Sequence, residues 1–365
     1  MKKIFALVLS VAMTLSLASC GGSEAPTTSS PAASSPAASS PTVSAPAPEA
    51  DPMPEVKPMD INFGGGAMGG TYYIVASAMK TLAEENCDSV KSFTVLTGSS
   101  NQFANECSKE GTIDIFMNTL DALNYAYQGI GKQGFTEGDA LDNLNVVSVM
   151  YGMPLMLVTL ESNNNIQSAA DITGTIGVGS ATLAGPTTDL LKAAGVQNPD
   201  VAVVNDYNQL NQNLIDGTYQ AIIHTGPAPQ AYTLNLIASA DVKIVPLPAG
   251  TAEAAVGMGG DATYCQVVKV PKGAYEFVTE EYETIARTAS ITCNEEIPER
   301  VIYEFVKAVY ENSDAIESVI SFSEMNKEGM QAVADSGLLN MPVHPGARRY
   351  YEEIGITFPA SVPVK

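Results

Sequence analysis

The sequence predicts an α/β protein of two lobes, each a mostly parallel sheet flanked by helices. Three observations carry this expectation. One order of elements, strand, polar turn, helix, strand, occurs in both halves of the chain. Helices in both halves end on a glycine just before a β-branched strand. A long apolar run stands between the halves, as a segment leaving one lobe for the other would.

The first half reads "INFGGGAMGGTYYIVASAMKTL" and then "SFTVLTGSSNQFANECSKEGTIDIFMN". The second reads "GTIGVGSATLAGPTTDLLKAAG" and then "VAVVNDYNQLNQNLIDGTYQAIIHTG". "KEG" before "TIDIF" and "IDG" before "TYQAII" place glycine where a helix C-terminus favours a left-handed residue. The runs that follow have strand composition. A strand-helix-strand crossover makes its strands parallel and covers them with a helix. Between the halves, "NVVSVMYGMPLMLVTLESN" reads as a crossing strand with a hinge. The chain returns near "ATYCQVVKVPKGAY", and "PERVIYEFVKAVYENSDAIESVI" is an amphipathic helical segment with Pro in its first turn. The expected division is lobe 1 at 59–156 plus about 263–365, and lobe 2 at about 157–262. Two such lobes offer a ligand cleft where the carboxyl ends of their strands face each other.

Ahead of the lobes, "MKKIFALVLSVAMTLSLASC" has two lysines, a short apolar stretch and Leu17-Ala18-Ser19-Cys20. This is the lipobox pattern of a bacterial lipoprotein signal, with 1–19 removed and Cys20 carrying the lipid; the alternative is a plain secretory signal. Residues 20–58 are rich in Ser, Pro and Ala and cannot bury a core, so they are expected to be a disordered tether. The expected location is the extracytoplasmic face of the cell membrane.

The chain carries 18 Lys plus Arg against 40 Asp plus Glu, a formal charge of −22. Without Lys2 and Lys3, sixteen basic side chains face the forty acids, or −24. Nucleic acid is excluded as a partner class, and the membrane contact is expected to be the lipid anchor alone. Cys87, Cys107, Cys265 and Cys293 allow two bridges, most simply Cys87 with Cys107 and Cys265 with Cys293, or four buried thiols.

Gly64, Gly66 and Gly69 satisfy G-x-G-x-x-G, but the next strand-like run ends in Thr97-Gly98-Ser99-Ser100, without the acid that would hold a ribose. The turn reads as an anion site at a helix N-terminus instead of a dinucleotide site. Only His224 and His344 are present; no nucleophile motif, metal motif or Walker lysine occurs, and no cofactor is expected. His224, after "QAII", is a candidate for ligand contact or gating as against a structural histidine; His344 reads as structural. Arg287, Arg300, Arg348 and Arg349 are the only arginines and all lie late. An anion in the cleft is therefore expected to be held by helix N-termini and by donors among Gly70, Thr71, Tyr72, Thr97, Ser99, Ser100, Asn118, Thr119, Ser180, Thr182 and Gly226, unless a late arginine folds back into it. Asp121 could take an ammonium group or could simply complement the start of its helix.

Several of these stretches together resemble the TAXI family of solute receptors for tripartite ATP-independent periplasmic (TRAP) transporters. They are "GGTYYIVASAMKTLAEE", "GTIDIF" followed by "DALNYAYQG", "GPAPQAYTL" and "MPVHPGARRYYEEIG", in order from about Met59 to Phe358. The resemblance implies a two-lobe periplasmic-binding-protein fold of the second type and a monomeric, non-enzymatic receptor. Its ligand would be an acidic amino acid such as glutamate or glutamine, or a dicarboxylate, delivered to TRAP permease subunits. It places Gly70, Thr71 and Tyr72 in the first ligand turn, matches Asp121 to a recurrent aspartate, and puts Gly226 to Pro229 in a second-lobe turn. The chain departs from the family at Ser180-Ala181-Thr182-Leu183 and at Thr119-Leu120, both in expected ligand turns. The competing expectations are a receptor of the same fold serving a sensor or another transporter type, an enzyme on this scaffold, and a structural envelope lipoprotein.

Overall fold

In a computed structural model, residues 53–66, 68, 70–320 and 323–364 are described. The signal segment, Cys20, most of the tether and Gly69 lie outside the described residues. From Met59 the chain alternates β1 (Met59–Gly64), α1 (Thr71–Asn86), β2 (Val90–Leu96) and α2 (Ser100–Asn105), which runs into a π-helical turn at Glu106–Glu110. Then come β3 (Ile115–Thr119), α3 (Leu120–Gln128) and the long β4 (Leu144–Pro154). Gly111 closes the π-helical turn in the left-handed region, at φ 65, ahead of β3, as the "KEG" signal requires.

The second sheet is built from β5 (Met156–Leu160), β6 (Ile176–Val178), α4 (Ala181–Ala193), β7 (Val201–Val203), α5 (Tyr207–Ile215), β8 (Ala221–His224), α6 (Ala231–Ser239) and β9 (Val242–Ile244). After α7 (Thr251–Gly257) and a 3-10 turn at Asp261–Tyr264 the chain returns through β10 (Gln266–Val270) and β11 (Tyr282–Asn294). Helices α8 (Glu299–Glu311), α9 (Ser313–Glu317), α10 (Lys327–Asp335) and α11 (Pro345–Glu353) complete the first lobe.

Both sheets repeat one pattern. The first runs β2-β1-β3-β11-β4, with β10 continuing along β11, and the second runs β7-β6-β8-β5-β9. This is the two-lobe periplasmic-binding-protein fold of the second type. The sheets are mixed where mostly parallel ones were expected: β1 is parallel to β2 and β3, and β6 to β7 and β8, but β11 and β5 are antiparallel to their neighbours. The reason is geometric. The local strands point their carboxyl ends at the cleft, whereas β5 and β11 each enter a lobe from the cleft side and so run the other way. The crossing strands remain paired between the lobes: Leu155 N donates to Ile285 O at 2.9 Å, and Thr284 Oγ1 donates to Leu155 O at 2.8 Å.

The first core is centred on Phe63, Phe93 and Phe305, whose ring centroids lie 5.3 to 6.4 Å apart. Among the described residues Cys87, Cys107, Cys265 and Cys293 are all buried and free, so neither bridge is formed and the four are the buried thiols of the alternative reading. Burial pushes the Cys87 and Cys107 thiols up to about 12 and leaves them protonated apolar fillers. Among the described residues, no helix is long and apolar enough to cross a membrane.

Because Phe305 fastens α8 onto the sheet through two ring contacts and is 2% exposed, Phe305→Ala is expected to destabilise the protein by about 3–5 kcal/mol. Urea unfolding followed by circular dichroism measures it; a loss below about 1 kcal/mol would contradict this packing.

Candidate functional site

Four helices open on the cleft because each follows a strand whose carboxyl end points there. Their N-caps are Gly70, Ser99, Thr119 and Ser180, and of these only Ser180 caps its own helix, accepting from Thr182 N at 3.2 Å. A chamber of about 330 Å³ lies between the lobes. Of the expected residues, Tyr72, Ser99, Ser100, Asn118, Thr119, Ser180 and Thr182 line it. Gly70, Thr71 and Gly226 line an adjoining chamber of about 300 Å³.

Three expected residues fall elsewhere. Thr97 is exposed and lines neither chamber. His224 is fully buried behind the wall: its Nε2 lies 2.8 Å from Asn211 Oδ1 and its Nδ1 3.0 Å from Thr233 Oγ1. Both ring nitrogens are spent on protein partners, and burial pushes its pKa down to about 3, so the ring is a neutral wedge behind Tyr207 and Tyr232 and lines neither chamber. Asp121 is also fully buried and lines neither chamber. Its Oδ2 accepts from Arg287 Nε at 2.8 Å and from Gln133 Nε2 at 2.8 Å, so the carboxylate proposed for an ammonium is already paired with a guanidinium.

Arg287 is the late arginine that folds back. It stands on β11 opposite Met153 of β4, and both side chains line the first chamber. Its side chain is 7% exposed. Beyond Asp121, Nη2 donates to Thr119 Oγ1 at 2.7 Å and to Gln133 Oε1 at 3.2 Å, and Nη1 donates to Thr182 Oγ1 at 2.9 Å. Thr119 belongs to the first lobe and Thr182 to the second. A hydroxyl that accepts from a guanidinium keeps its own hydrogen to donate, which suits Thr119 to an anion; Thr182 Oγ1 also lies 2.8 Å from Ser180 Oγ, so these two hydroxyls act as a pair with one hydrogen to spare for an anion. Burial alone would lower the guanidinium's pKa, but Asp121 beside it more than offsets this and the net shift is upward. Arginine 287 was detectable in "TIARTASITC": one charge inside an apolar strand needs a buried partner.

The lobes also meet at one flank of the cleft. Tyr125 Oη and Lys132 Nζ from the first lobe each donate to Asp261 Oδ1 of the second at 2.6 Å. Burial pushes the Asp261 carboxyl up, but these two hydrogen bonds and the lysine's charge hold it below the usual aspartate value.

A sequence model of the NMT1-like family matches residues 63–355. The chain belongs to the NMT1-like family. The match establishes the family at that level, not at the level of the TAXI group. Among solved structures, the chain is similar to the GluR0 ligand-binding core in complex with L-glutamate, at 13% identity and a TM-score of 0.45, over 72% of this chain and 98% of that one. It is similar to MatC from Rhodopseudomonas palustris with bound malate, at 12% identity and a TM-score of 0.45, over 72% and 87%. It is also similar to the periplasmic VFT2 domain of BvgS from Bordetella pertussis, at 11% identity and a TM-score of 0.42, over 72% and 91%.

Two outcomes are expected from this member of the NMT1-like family. Asp121→Leu should strand a buried guanidinium and cost about 3–5 kcal/mol, whereas the double variant Asp121→Leu, Arg287→Met should recover most of that loss; a double-mutant cycle in urea tests it, and additive losses would contradict the buried pair. His224 and His344 are held down to about 3 and about 4 by burial, whereas in the unfolded chain histidine titrates near 6.5. Between those values the unfolded state binds more protons, so stability should fall as pH is lowered from about 6.5 to about 5. His224→Gln should flatten that fall in a pH series of urea unfolding, and an unchanged slope would mean that His224 is not held neutral.

Proposed function

We propose that the protein is a lipid-anchored, extracytoplasmic solute receptor of a TRAP transporter, which captures a small carboxylate-bearing solute and presents it to the membrane permease. The observation that carries this reading is Arg287, whose guanidinium reaches a hydroxyl from each lobe at the wall of a cavity between them. A carboxylate there can accept from Thr119 and Thr182 together only while the lobes are closed. It therefore stabilises the closed form by whatever it gains from the second lobe, and that differential is what a permease can read. The uncapped helix starts at Gly70, Ser99 and Thr119 add partial positive charge on the first-lobe side. The motifs point within the carboxylate class to glutamate, glutamine or a dicarboxylate, and to TRAP permease subunits as the partner. The lipobox at Cys20 supports an anchored receptor.

The test is thermal unfolding of the purified protein, first stripped of carried-over ligand, against a panel of amino acids, keto acids and mono- and dicarboxylates. A true ligand at about 100 times its dissociation constant adds about 2.7 kcal/mol, and Thr182→Ala should remove most of the resulting shift. A folded protein that no carboxylate shifts would overturn the receptor reading. Binding without uptake of the same ligand, when the receptor is reconstituted with its permease, would move the protein to a sensor or to another transporter type.

A further inference from the structure

The cleft continues beyond Arg287. The chamber of about 300 Å³ opens from the first past Tyr72, Ser100, Met153, Tyr207 and Thr225, which line both. Each volume alone is at the small end of ligand pockets, which run from roughly 300 to 1,000 Å³; the joined pair suits a solute with a head and a body. Tyr151 and Tyr232 complete the walls of the second chamber. Tyr207 and Tyr232 stack with centroids 3.9 Å apart and planes at 12°, and Tyr72 and Tyr151 stand 6.3 Å apart.

These rings are held in place before any ligand arrives. Tyr232 Oη donates to Thr225 O. Behind the stack, His224 stands edge-on to Tyr232 at 5.1 Å and is itself pinned by Asn211 and Thr233. A pre-set aromatic surface loses little freedom on binding and favours a flat partner that extends the stack. No charged side chain lines this second chamber, and Arg287 lines only the first. The guanidinium is already matched by Asp121, so the head site as a whole offers donors without surplus charge. A second carboxylate or an ammonium carried into the tyrosine chamber would find no counter-charge there.

We propose that the solute is an aromatic or otherwise planar monocarboxylate, with its carboxylate on Thr119, Thr182 and Arg287 and its ring between the tyrosines. This rests on the receptor reading above; it stays within the carboxylate class but departs from the glutamate, glutamine or dicarboxylate to which the sequence motifs point. Two competitors are specific. The start of α1 reaches the same chamber through Gly70 and Thr71, so a dicarboxylate could place its second charge there. Tyrosine faces also attract quaternary ammonium groups, so a betaine is the second.

Isothermal titration of the stripped full chain with 3-phenylpropionate, indole-3-acetate, glutarate, L-glutamate and glycine betaine decides among them. The expected result is at least tenfold tighter binding of an aromatic monocarboxylate than of the other three. Tyr232→Leu should weaken that binding tenfold or more, Tyr207→Phe should keep it, and Arg287→Lys should weaken every carboxylate. Tightest binding of glutarate, glutamate or betaine would overturn the proposal, as would an aromatic ligand indifferent to Tyr232→Leu in a variant that folds. Silence from every carboxylate would instead overturn the receptor reading itself, and this narrower proposal with it.

Discussion

A guanidinium cannot be buried between two lobes without partners, and the arrangement around Arg287 follows from that constraint. Asp121 supplies the opposite charge, Gln133 bridges the pair from the loop beyond α3, and Thr119 and Thr182 take the remaining directions. Buried pairs of this kind contribute little net stability, because desolvating both ions offsets most of their attraction. What the pair contributes here is position. On the proposed reading, a ligand would meet a fixed fork and two oriented hydroxyls instead of a mobile surface charge.

The location of Arg287 on a crossing strand matters as much as its charge. It is one residue past Ala286, the one β11 residue paired with both β10 and β4, and its neighbour across the ladder is Met153. The floor of the cleft is thus hydrogen-bonded sheet of the first lobe, at the point where its strands continue into the crossing segments, whereas the turns at Ser99 and Thr119 form a first-lobe wall and the turn at Ser180 a second-lobe wall. The flank contact of Tyr125 and Lys132 with Asp261 holds those walls together on one side.

Much of this was legible in local sequence. Glycine C-caps, polar turns after strands and the repeated order of elements are short-range signals, and they led to both lobes and to seven of the residues around the first chamber. The antiparallel crossing strands were not legible, since strand direction depends on which lobe the chain enters from. His224 stands at the strand end that the sequence indicated, but β8 is buried on both faces and its last side chain turns into the helix layer. Asp121 was visible as a carboxylate near the cleft; its partner lies 166 residues away and only tertiary structure selects it. Tyr151, Tyr207 and Tyr232 come from three separate elements, and nothing in their spacing announces a common wall.

The acidity of the chain bears on how such a cleft binds an anion. At a formal charge of −22 the protein repels an approaching carboxylate, but at physiological ionic strength that repulsion is screened beyond about 8 Å. Inside that distance, recognition depends on short-range donors and on apolar contact. On the proposed reading, the donors at Thr119, Thr182 and Arg287 would replace the hydration of a bound carboxylate, with little net gain, because water already solvates it well. Burying the uncharged remainder of the solute must then supply much of the affinity, and the surface available for it is the tyrosine chamber. For the proposed solute, head and body would accordingly have different tasks: the polar end would set which group is accepted and in which direction, and the aromatic end how tightly it is held.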